Sequence, residues 1–471
     1  MFKQSPKINL NYAAQIVWIP NLRVHPNADR LKITTIQGND VITGAPLIVG
    51  DYCIYFPLEC TISKSYLSYS NSFEKKEDNR NPEVKGFFGS KGRVRAIKLR
   101  GQSSLGYLIP VSSLQEWLEH EKGTKLYIDW EKLVGTEFDY YDDIFICKKY
   151  TSVQERNEKQ KTDRVQKKNE KVVKESKLVE NQFKLHSSTP QLGKNIHTVF
   201  PEDIISVTAK LHGTSHVSSN VLITKQLKWY EKLLIKFGIN IVKTTFGNLY
   251  SSRSVIKNRF HNSVDNKKVS ESGYYKLDVW GVVNEDLKPF LEEGMTIYGE
   301  IVGYLPGSSS MIQKNYDYSC EEGKYKFYIY RITTTTPNGS VVEWDMNSIQ
   351  QWAKQKGLLA VPLYYYGAAS QLFKDLNNSP NNEEELSEWQ NQFLQKLKDN
   401  YLEGDDPLCK NKIPDEGIVL RIEGGNSINS LKLKSFRFFE FEGKQLDSGE
   451  VDIETQETEQ TEDDGNEKQT T

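Results

Sequence analysis

The sequence lacks any apolar run near the roughly 18 residues that a membrane span requires. Its first residues do not follow the basic-then-apolar order of a secretion signal. The five cysteines contain no Cys-x-x-Cys pair and no metal-ligand spacing, so neither a disulfide framework nor a zinc site is indicated. We therefore expect a cytoplasmic protein with reduced thiols and no membrane partner. The lysine- and asparagine-rich composition is typical of an AT-rich genome, such as that of a phage or another virus.

The chain as a whole lacks a strong excess of one charge, but its C-terminal end is strongly acidic. From residue 447 to residue 468 there are ten acidic residues and one lysine, a net charge of −9, which leaves +7 for the rest of a chain whose total is −2. A positive body behind an acidic tail fits a polyanionic ligand.

The length of 471 residues suggests two or three folded units. Residues 1–147 contain short strands separated by turn residues, which predicts a small β-barrel or sandwich. Residues 148–180 have almost no apolar side chains and are interpreted as a charged linker. Residues 181–446 alternate aromatic-rich strands with helical segments in an α+β pattern. Residues 447–471 are polar and acidic, which predicts a disordered tail.

The first region contains two phrases that favour nucleic-acid binding. HPNADRLKI, residues 25–33, resembles the oligonucleotide-binding (OB) barrels of tRNA-binding proteins, although a turn before a strand explains it equally well. KGRVRAIKLRG, residues 91–101, alternates cations with apolar residues, so we expect Arg93, Arg95 and Lys98 to bind nucleic acid from one strand face. Many solvated strand faces have the same pattern.

The second region contains a lysine at the end of an apolar run. IISVTA, residues 204–209, predicts a buried strand that delivers Lys210, and His212 and Gly213 follow at once. A strand end with a tight turn would explain these residues without any chemistry.

Four further phrases follow in the same region. LYSSRSVIKNRF contains Arg253, MTIYGEIVG contains Glu300, and DEGIVLR contains Glu416. SLKLK contains Lys432 and Lys434, and their spacing of two places both lysines on one face of a strand. Each phrase alone is weak, because an acid–glycine pair often begins a hairpin and alternating lysines often mark a solvated edge strand.

Taken in order, these motifs resemble the covalent nucleotidyltransferase superfamily of polynucleotide ligases and mRNA-capping guanylyltransferases. The matching segments are Lys210-Leu-His-Gly213 for the nucleophile motif, Tyr298-Gly-Glu300 for the middle acidic motif, Glu416-Gly-Ile-Val-Leu-Arg421 for the fourth and Lys432-Leu-Lys434 for the fifth. The resemblance implies an α+β chain with an N-terminal OB-like β-barrel. Behind it we expect an adenylyltransferase (ATP-grasp-like ligase) domain of antiparallel sheets with flanking helices.

The resemblance also implies roles for these residues. A lysine can attack the α-phosphate of ATP and hold AMP as a phosphoramidate. An ordinary lysine, however, has a pKa of about 10.4 and is almost entirely ammonium at neutral pH. Burial and the neighbouring cations Lys432 and Lys434 are expected to disfavour the charged form of Lys210 and to offset charge on the phosphate. Glu300 and Glu416 are expected to hold the ribose or a Mg²⁺ or Mn²⁺ ion.

The remaining contacts concern the nucleotide. Gly213 is expected to let the backbone approach it closely, with His212 beside it. The aromatic strand KYKFYIYRI resembles the family strand that stacks on adenine, and Tyr330 is the best match, although core packing explains such a strand as well. Arg253 resembles the family arginine that follows the nucleophile motif. It lies 43 residues after Lys210 because of an insertion.

Two features narrow the class to RNA ligases. His212 stands where DNA ligases and capping enzymes usually carry aspartate, and K-x-H-G-T resembles the phage second-type and RNA-editing ligases. Only 37 residues follow Lys434, too few for the downstream OB domain of DNA ligases, and the barrel candidate precedes the core, as in the Deinococcus-type RNA ligase. Ala209 departs from the family, which often has glutamate before the lysine, so ATP specificity rests on the resemblance.

We therefore predict a monomeric, ATP-dependent RNA ligase that forms AMP and diphosphate. It would seal 5′-phosphate and 3′-hydroxyl ends in RNA or RNA-containing nicked duplexes. A DNA nick-sealing ligase and a GTP-dependent guanylyltransferase are alternatives with the same motifs. A non-catalytic RNA-binding protein with a decayed ligase core is an alternative from another class, and Ala209 is its main support.

Overall fold

The computed structural model describes residues 1–6, 8–44, 46–151, 175–271, 275, 277–424 and 429–448. Most of the expected linker and nearly all of the expected acidic tail lie outside these ranges. The described chain divides into two compact units. The N-terminal unit contains residues 1–151, 193–196 and 436–448, and the C-terminal unit contains residues 175–192 and 197–435. The domain boundaries expected above remain predictions.

The structure contains the following elements. The strands are β1 (Phe2–Lys3), β2 (Ala14–Trp18), β3 (Arg23–Val24), β4 (Lys32–Ile36), β5 (Asn39–Thr43), β6 (Tyr52–Phe56), β7 (Cys60–Ile62), β8 (Ile97–Leu99), β9 (Gln102–Ser104), β10 (Tyr107–Pro110), β11 (Glu137–Phe138), β12 (Tyr140–Tyr141), β13 (Ile144–Phe145), β14 (Cys147–Lys149), β15 (Ile204–Ala209), β16 (Thr214–Thr224), β17 (Thr244–Ser251), β18 (Met295–Gly303), β19 (Tyr325–Thr335), β20 (Val341–Glu343), β21 (Leu359–Ala360), β22 (Leu363–Ala368), β23 (Gly417–Ile422) and β24 (Asn429–Lys434). The α-helices are α1 (Lys64–Tyr69), α2 (Val111–Lys122), α3 (Leu192–Asn195), α4 (Trp229–Lys236), α5 (Ser263–Glu271), α6 (Val279–Leu287), α7 (Met346–Lys356), α8 (Ala369–Leu372), α9 (Glu383–Tyr401) and α10 (Phe436–Asp447).

The N-terminal unit is built from small antiparallel sheets. The main sheet has the strand order β10-β6-β2-β11, and a second has the order β3-β4-β5. Alternating residues of β2 and β6, such as Ile16, Ile54 and Phe56, enter a core that also contains Trp117 of α2 and Phe138 of β11. The predicted short strands are therefore present. The run GRVRAIKLRG is an exception, because its strand β8 begins only at Ile97.

The C-terminal unit is organised around two larger sheets. One has the order β22-β15-β23-β24, and the other has the order β17-β16-β18-β19-β20, with β21 beside β19. All pairings in both sheets are antiparallel except the short contact between β19 and β21. Helices flank these sheets, so the expectation of an α+β core with antiparallel sheets and flanking helices is confirmed.

Helix α9 shows how local sequence determines a helix in this protein. The side chain of Asn382 caps its N-terminus by accepting from the N–H of Glu385. Acidic residues fill its first turn, where their charge interacts favourably with the helix dipole. Trp389, Phe393 and Leu397 recur every four residues and form one buried stripe. Within the described ranges, no helix has the length and hydropathy needed to cross a membrane.

Candidate active site

Lys210 lies directly after the end of strand β15. Residues 205 to 209 of this strand are all buried, because β15 is paired on both edges, by β22 and β23. The N–H of Lys210 donates to the carbonyl oxygen of Gly417 at 2.9 Å, which fixes the backbone where the strand ends. The side chain of Lys210 remains 18% exposed, so its amine reaches a partly open surface from a rigid base.

A buried carboxylate holds two lysine amines together at this point. Glu416 has a side chain that is only 3% exposed. Its Oε2 lies 2.8 Å from the Nζ of Lys210, and its Oε1 lies 3.0 Å from the Nζ of Lys434. The Nδ1 of His212 lies 3.9 Å from Oε2 of the same carboxylate. The structure therefore brings together residues from three motifs that are separated by up to 224 positions in the sequence.

The pairing of β23 with β24 explains how Lys434 reaches Glu416. Gly417 is the register partner of Lys434, and Val419 is the partner of Lys432, so both lysines lie on one strand face, as the spacing predicted. Gly417 has a φ of +135°, and an added Cβ would lie 2.1 Å from the carbonyl oxygen of Leu433. Only glycine permits this close approach of the two strands.

Gly213 lies close to the second acidic residue, Glu300. A Cβ at Gly213 would lie 2.3 Å from the carbonyl oxygen of Ile301 and 2.8 Å from the Cγ of Glu300. Glu300 is buried in β18, opposite Ser215 of β16. Gly213 therefore allows the loop after Lys210 to lie against the strand that carries Glu300. We call residues 210–213 the Lys210 loop.

The aromatic residue Tyr330 lies on the neighbouring strand β19. Its hydroxyl is 3.0 Å from the Oγ of Ser215 and 3.2 Å from the Nδ1 of His186. Burial and the nearby charge of Glu300 raise the pKa of Tyr330, and the charge of Arg253 opposes this shift. The charges of Glu300 and Arg253 are therefore close enough to Tyr330 to shift its pKa. Arg253 also donates from Nη2 to the Oγ of Ser188, at 3.3 Å.

These residues lie within a segment that matches a known family. Residues 203–434 match the family model described as RNA ligase. This segment is similar to the RNA ligase domains that the model describes. All candidate residues from Lys210 to Lys434 fall inside the matched segment, so the sequence resemblance to nucleotidyltransferases is confirmed at the level of the domain.

Solved structures that resemble the chain include variants of one RNA ligase. A variant of the Naegleria gruberi RNA ligase with ATP and Mn has a TM-score of 0.52 at 13% identity, covering 93% of this chain and 99% of that chain. A second variant with ATP and Mn has a TM-score of 0.51 at 14% identity, with coverage of 92% and 99%. A third, apo variant has a TM-score of 0.50 at 14% identity, with coverage of 93% and 100%. At these identities the likeness shows the fold. A comparison with curated proteins finds no match.

A second matched segment precedes the one that matches the RNA ligase model. Residues 13–111 match an OB-fold domain model, so the expected order of the two domains is confirmed. The HPNADRLKI phrase lies in this segment, and its histidine is structural. The Nε2 of His25 is 3.0 Å from the carbonyl oxygen of Leu99, and its Nδ1 accepts from the N–H of Asn27. His25 thus ties the turn to the β8–β9 hairpin.

The three cations expected to bind nucleic acid differ in exposure. Arg93 is buried, with a side chain 3% exposed that forms two hydrogen bonds to the carboxylate of Glu59, at 2.7 and 2.8 Å. Its guanidinium also lies over the ring of Tyr150. The structure therefore contradicts an exposed strand-face position for Arg93, because it precedes β8 and has its partner in the interior. Arg95 is 45% exposed and Lys98 is exposed on β8.

Sequence reasoning missed several residues that contact the candidate site. His186 lies in the segment before β15 and reaches the Tyr330 hydroxyl. Gln313 and Tyr318 come from the connection between β18 and β19 and bond to the backbone of the Lys210 loop. None of these residues lies in a recognisable motif, and only the tertiary structure brings them to the lysine.

Proposed function

We propose that this protein is an ATP-dependent RNA ligase that works through a Lys210–AMP intermediate. One observation carries the proposal: within an RNA ligase domain, the amines of Lys210 and Lys434 share the buried carboxylate of Glu416 at a strand end. A structural ion pair would need only one lysine. A second lysine on the same carboxylate places positive charge where a phosphate would sit.

In the first step, the Nζ of Lys210 attacks the α-phosphorus of ATP after losing a proton. A phosphorus–nitrogen bond forms, the bond from the α-phosphorus to the bridging oxygen breaks, and diphosphate leaves with its electron pair. Glu416 keeps the amine of Lys210 in place before attack. Lys434 and Lys432 offset the negative charge of the phosphate as it transfers.

The carboxylates of Glu300 and Glu416 fit a divalent metal ion whose remaining ligands would be phosphate oxygens of the substrate. Among the described residues, no group of three or more acidic, histidine or cysteine side chains could hold a metal by itself. Mg²⁺ and Mn²⁺ accept hard oxygen ligands, and Mg²⁺ commonly binds through one or two carboxylates plus substrate phosphates. Glu300 and Glu416 would supply these carboxylates. When bound, the ion neutralises phosphate charge and orients the α-phosphate.

The nucleoside would lie against the β16–β19 side of the site. We infer that the Tyr330 ring stacks on the adenine, while Arg253 and His212 contact the nucleotide and Glu300 contacts the ribose or the metal ion. His186 and Ser215 hold the Tyr330 hydroxyl and so set the orientation of its ring.

Two further steps complete the reaction. AMP passes from Lys210 to the 5′-phosphate of an RNA strand, which creates a phosphoanhydride and frees the amine. The 3′-hydroxyl then attacks the activated 5′-phosphate and loses its proton, a phosphodiester forms, and AMP leaves. We infer that the OB-fold domain binds RNA mainly through backbone phosphates, with Arg95 and Lys98 among its contacts, so binding should weaken steeply with salt. We expect the enzyme to act as a cytoplasmic monomer.

A sealing assay tests the proposal and separates it from its alternatives. Nicked duplexes are prepared with RNA or DNA on each side of the nick and incubated with ATP or GTP and Mg²⁺ or Mn²⁺. The proposal expects sealing with ATP when the 3′-hydroxyl strand is RNA, and none by Lys210→Ala. Sealing of DNA ends alone would favour a DNA ligase, a GTP-only adduct a guanylyltransferase, and RNA binding with no adduct a decayed core.

A further inference from the structure

The Lys210 loop is held by three hydrogen bonds to its backbone, and two of them come from one segment. Besides the bond from Lys210 to Gly417, the N–H of His212 donates to the hydroxyl of Tyr318 at 2.7 Å. The side-chain amide of Gln313 donates to the carbonyl oxygen of Gly213, also at 2.7 Å. Gln313 and Tyr318 both belong to residues 304–324, between β18 and β19, which we call the clamp segment.

Tyr318 brings a buried hydroxyl to the Lys210 loop. Its side chain is 0% exposed, and the carboxylate of Asp406, which is also buried, lies near it. Burial raises the pKa of Tyr318 well above its usual value, so the hydroxyl keeps its proton. Its oxygen accepts from the N–H of His212. Loss of the hydroxyl would deprive this partly buried N–H of that acceptor.

The backbone of the clamp segment is unusual at the same place. Asn315, Tyr318 and Ser319 have φ values of 70°, 46° and 53°, in the left-handed region that non-glycine residues rarely adopt. The Asp317 carboxylate opposes this cost by accepting from the N–H groups of Ser319 and Lys410, at 2.8 and 2.9 Å. Such backbone conformations persist only where surrounding contacts enforce them, and they cluster at functional sites.

The clamp segment also holds the chain that leads to Glu416. The hydroxyl of Tyr316 donates to the carbonyl oxygen of Pro414 at 2.7 Å, two residues before Glu416. The Tyr316 ring packs edge-on against the ring of His212, with centroids 4.9 Å apart. One segment therefore fixes both sides of the ion pair between Lys210 and Glu416.

We propose that Tyr318 is a positioning residue for the adenylylation step: its buried hydroxyl holds the backbone of the Lys210 loop so that the amine keeps the position required for attack. The inference rests on the proposed function. Tyr318 itself does not touch the reacting atoms and acts through the N–H of His212. Its effect should therefore appear in the rate of lysyl-AMP formation and not in the affinity for ATP.

Single-turnover adenylylation of Tyr318→Phe tests this role. We expect the rate to fall about 10- to 100-fold, the size expected when a reacting group is slightly misplaced, with the KM for ATP within about twofold of wild type. Tyr55→Phe is the matched control, because it removes a buried hydroxyl that bonds to a backbone carbonyl in the N-terminal unit. This control should adenylylate at the wild-type rate.

A double variant shows which group of His212 the hydroxyl acts through. His212→Ala removes the imidazole and keeps the backbone N–H, so Tyr318→Phe should slow adenylylation by the same factor in that background. An effect of Tyr318→Phe that disappears in the His212→Ala background, or a raised KM with an unchanged rate, would overturn the proposal.

Hydrogen exchange decides the positioning role without any activity measurement. In Tyr318→Phe, the amide of His212 should exchange at least about 10-fold faster than in wild type and in Tyr55→Phe, because it loses the Tyr318 hydroxyl as its acceptor. Unchanged protection would refute the positioning role even in an active enzyme. A wild-type protein that formed no AMP adduct would refute the proposed function, while the exchange result would still report on Tyr318.

Discussion

Substitution of Gly213 by alanine is the sharpest single perturbation of the site. The added Cβ would lie 2.3 Å from the carbonyl oxygen of Ile301 and 2.8 Å from a side-chain carbon of each of Glu300 and Val302. A backbone carbonyl in the middle of a paired strand cannot swing aside as a flexible side chain can. The Lys210 loop or strand β18 must therefore move, and either movement disturbs the packing of the loop against the strand that carries Glu300.

The magnitude follows from two opposing terms. Inserting a methyl group into a packed interior costs about 1–3 kcal/mol. Replacing glycine by alanine restricts the unfolded chain and returns about 0.4–1 kcal/mol. We therefore expect Gly213→Ala to lower the free energy of unfolding by about 1–2 kcal/mol, or Tm by about 2–8 °C in a unit of this size. Misplacement of the loop should slow adenylylation about 100-fold.

The assay compares Gly213→Ala with Gly404→Ala. Gly404 lies in the same unit, a Cβ added there would meet no heavy atom within 4 Å, and its φ is not left-handed, so alanine at this position should leave Tm and rate unchanged or slightly raise Tm. Both variants are measured by thermal unfolding and by single-turnover adenylylation. A Gly213→Ala protein with the Tm and rate of Gly404→Ala would refute the close packing of the Lys210 loop against β18.

Three further predictions concern other parts of the molecule. Arg93→Ala should lower the free energy of unfolding by about 3–5 kcal/mol, because it removes the guanidinium that pairs with the buried carboxylate of Glu59. Arg95→Ala should leave Tm unchanged in thermal melts but weaken RNA binding in filter assays and reduce its salt slope by about one. Burial lowers the pKa of His216 to about 3. Below about pH 6.5 the unfolded chain therefore binds a proton at this histidine that the folded protein does not bind, so the free energy of unfolding should fall as the pH falls from about 6.5 towards 3. Denaturant melts of His216→Gln should lack this part of the pH dependence. Tyr330→Phe should keep a stacking ring and a KM for ATP near that of wild type, whereas Tyr330→Ala should raise the KM about 10-fold or more in steady-state adenylylation; equal KM values for the two variants would contradict stacking.

Much of the candidate site was predictable from sequence because each member occupies a strand end or a regular strand face. The apolar run before Lys210 requires a buried strand, and the two-residue spacing of Lys432 and Lys434 requires one strand face, whatever the tertiary structure. The order of the motifs then identified the domain. In the folded chain, two of these motifs bring Lys210 and Lys434 together at Glu416 of a third.

Other parts could not be predicted, because they depend on contacts between distant loops. Arg93 and Arg95 have the same local pattern, and only the position of Glu59, 34 residues away from Arg93, makes one buried and the other exposed. Tyr318 lies in a connection without periodicity, and its partner His212 is 106 residues earlier. No local rule of propensity or spacing reports such pairings.

The most direct test of the account is the identity of the residue that carries AMP. Protein incubated with ATP labelled at the α-phosphate and with Mg²⁺ or Mn²⁺ is denatured, digested and mapped for a lysyl-AMP peptide. We expect one adduct, on Lys210, that is absent from Lys210→Ala and is discharged by 5′-phosphorylated RNA. An adduct on another residue, or one retained by Lys210→Ala, would contradict it.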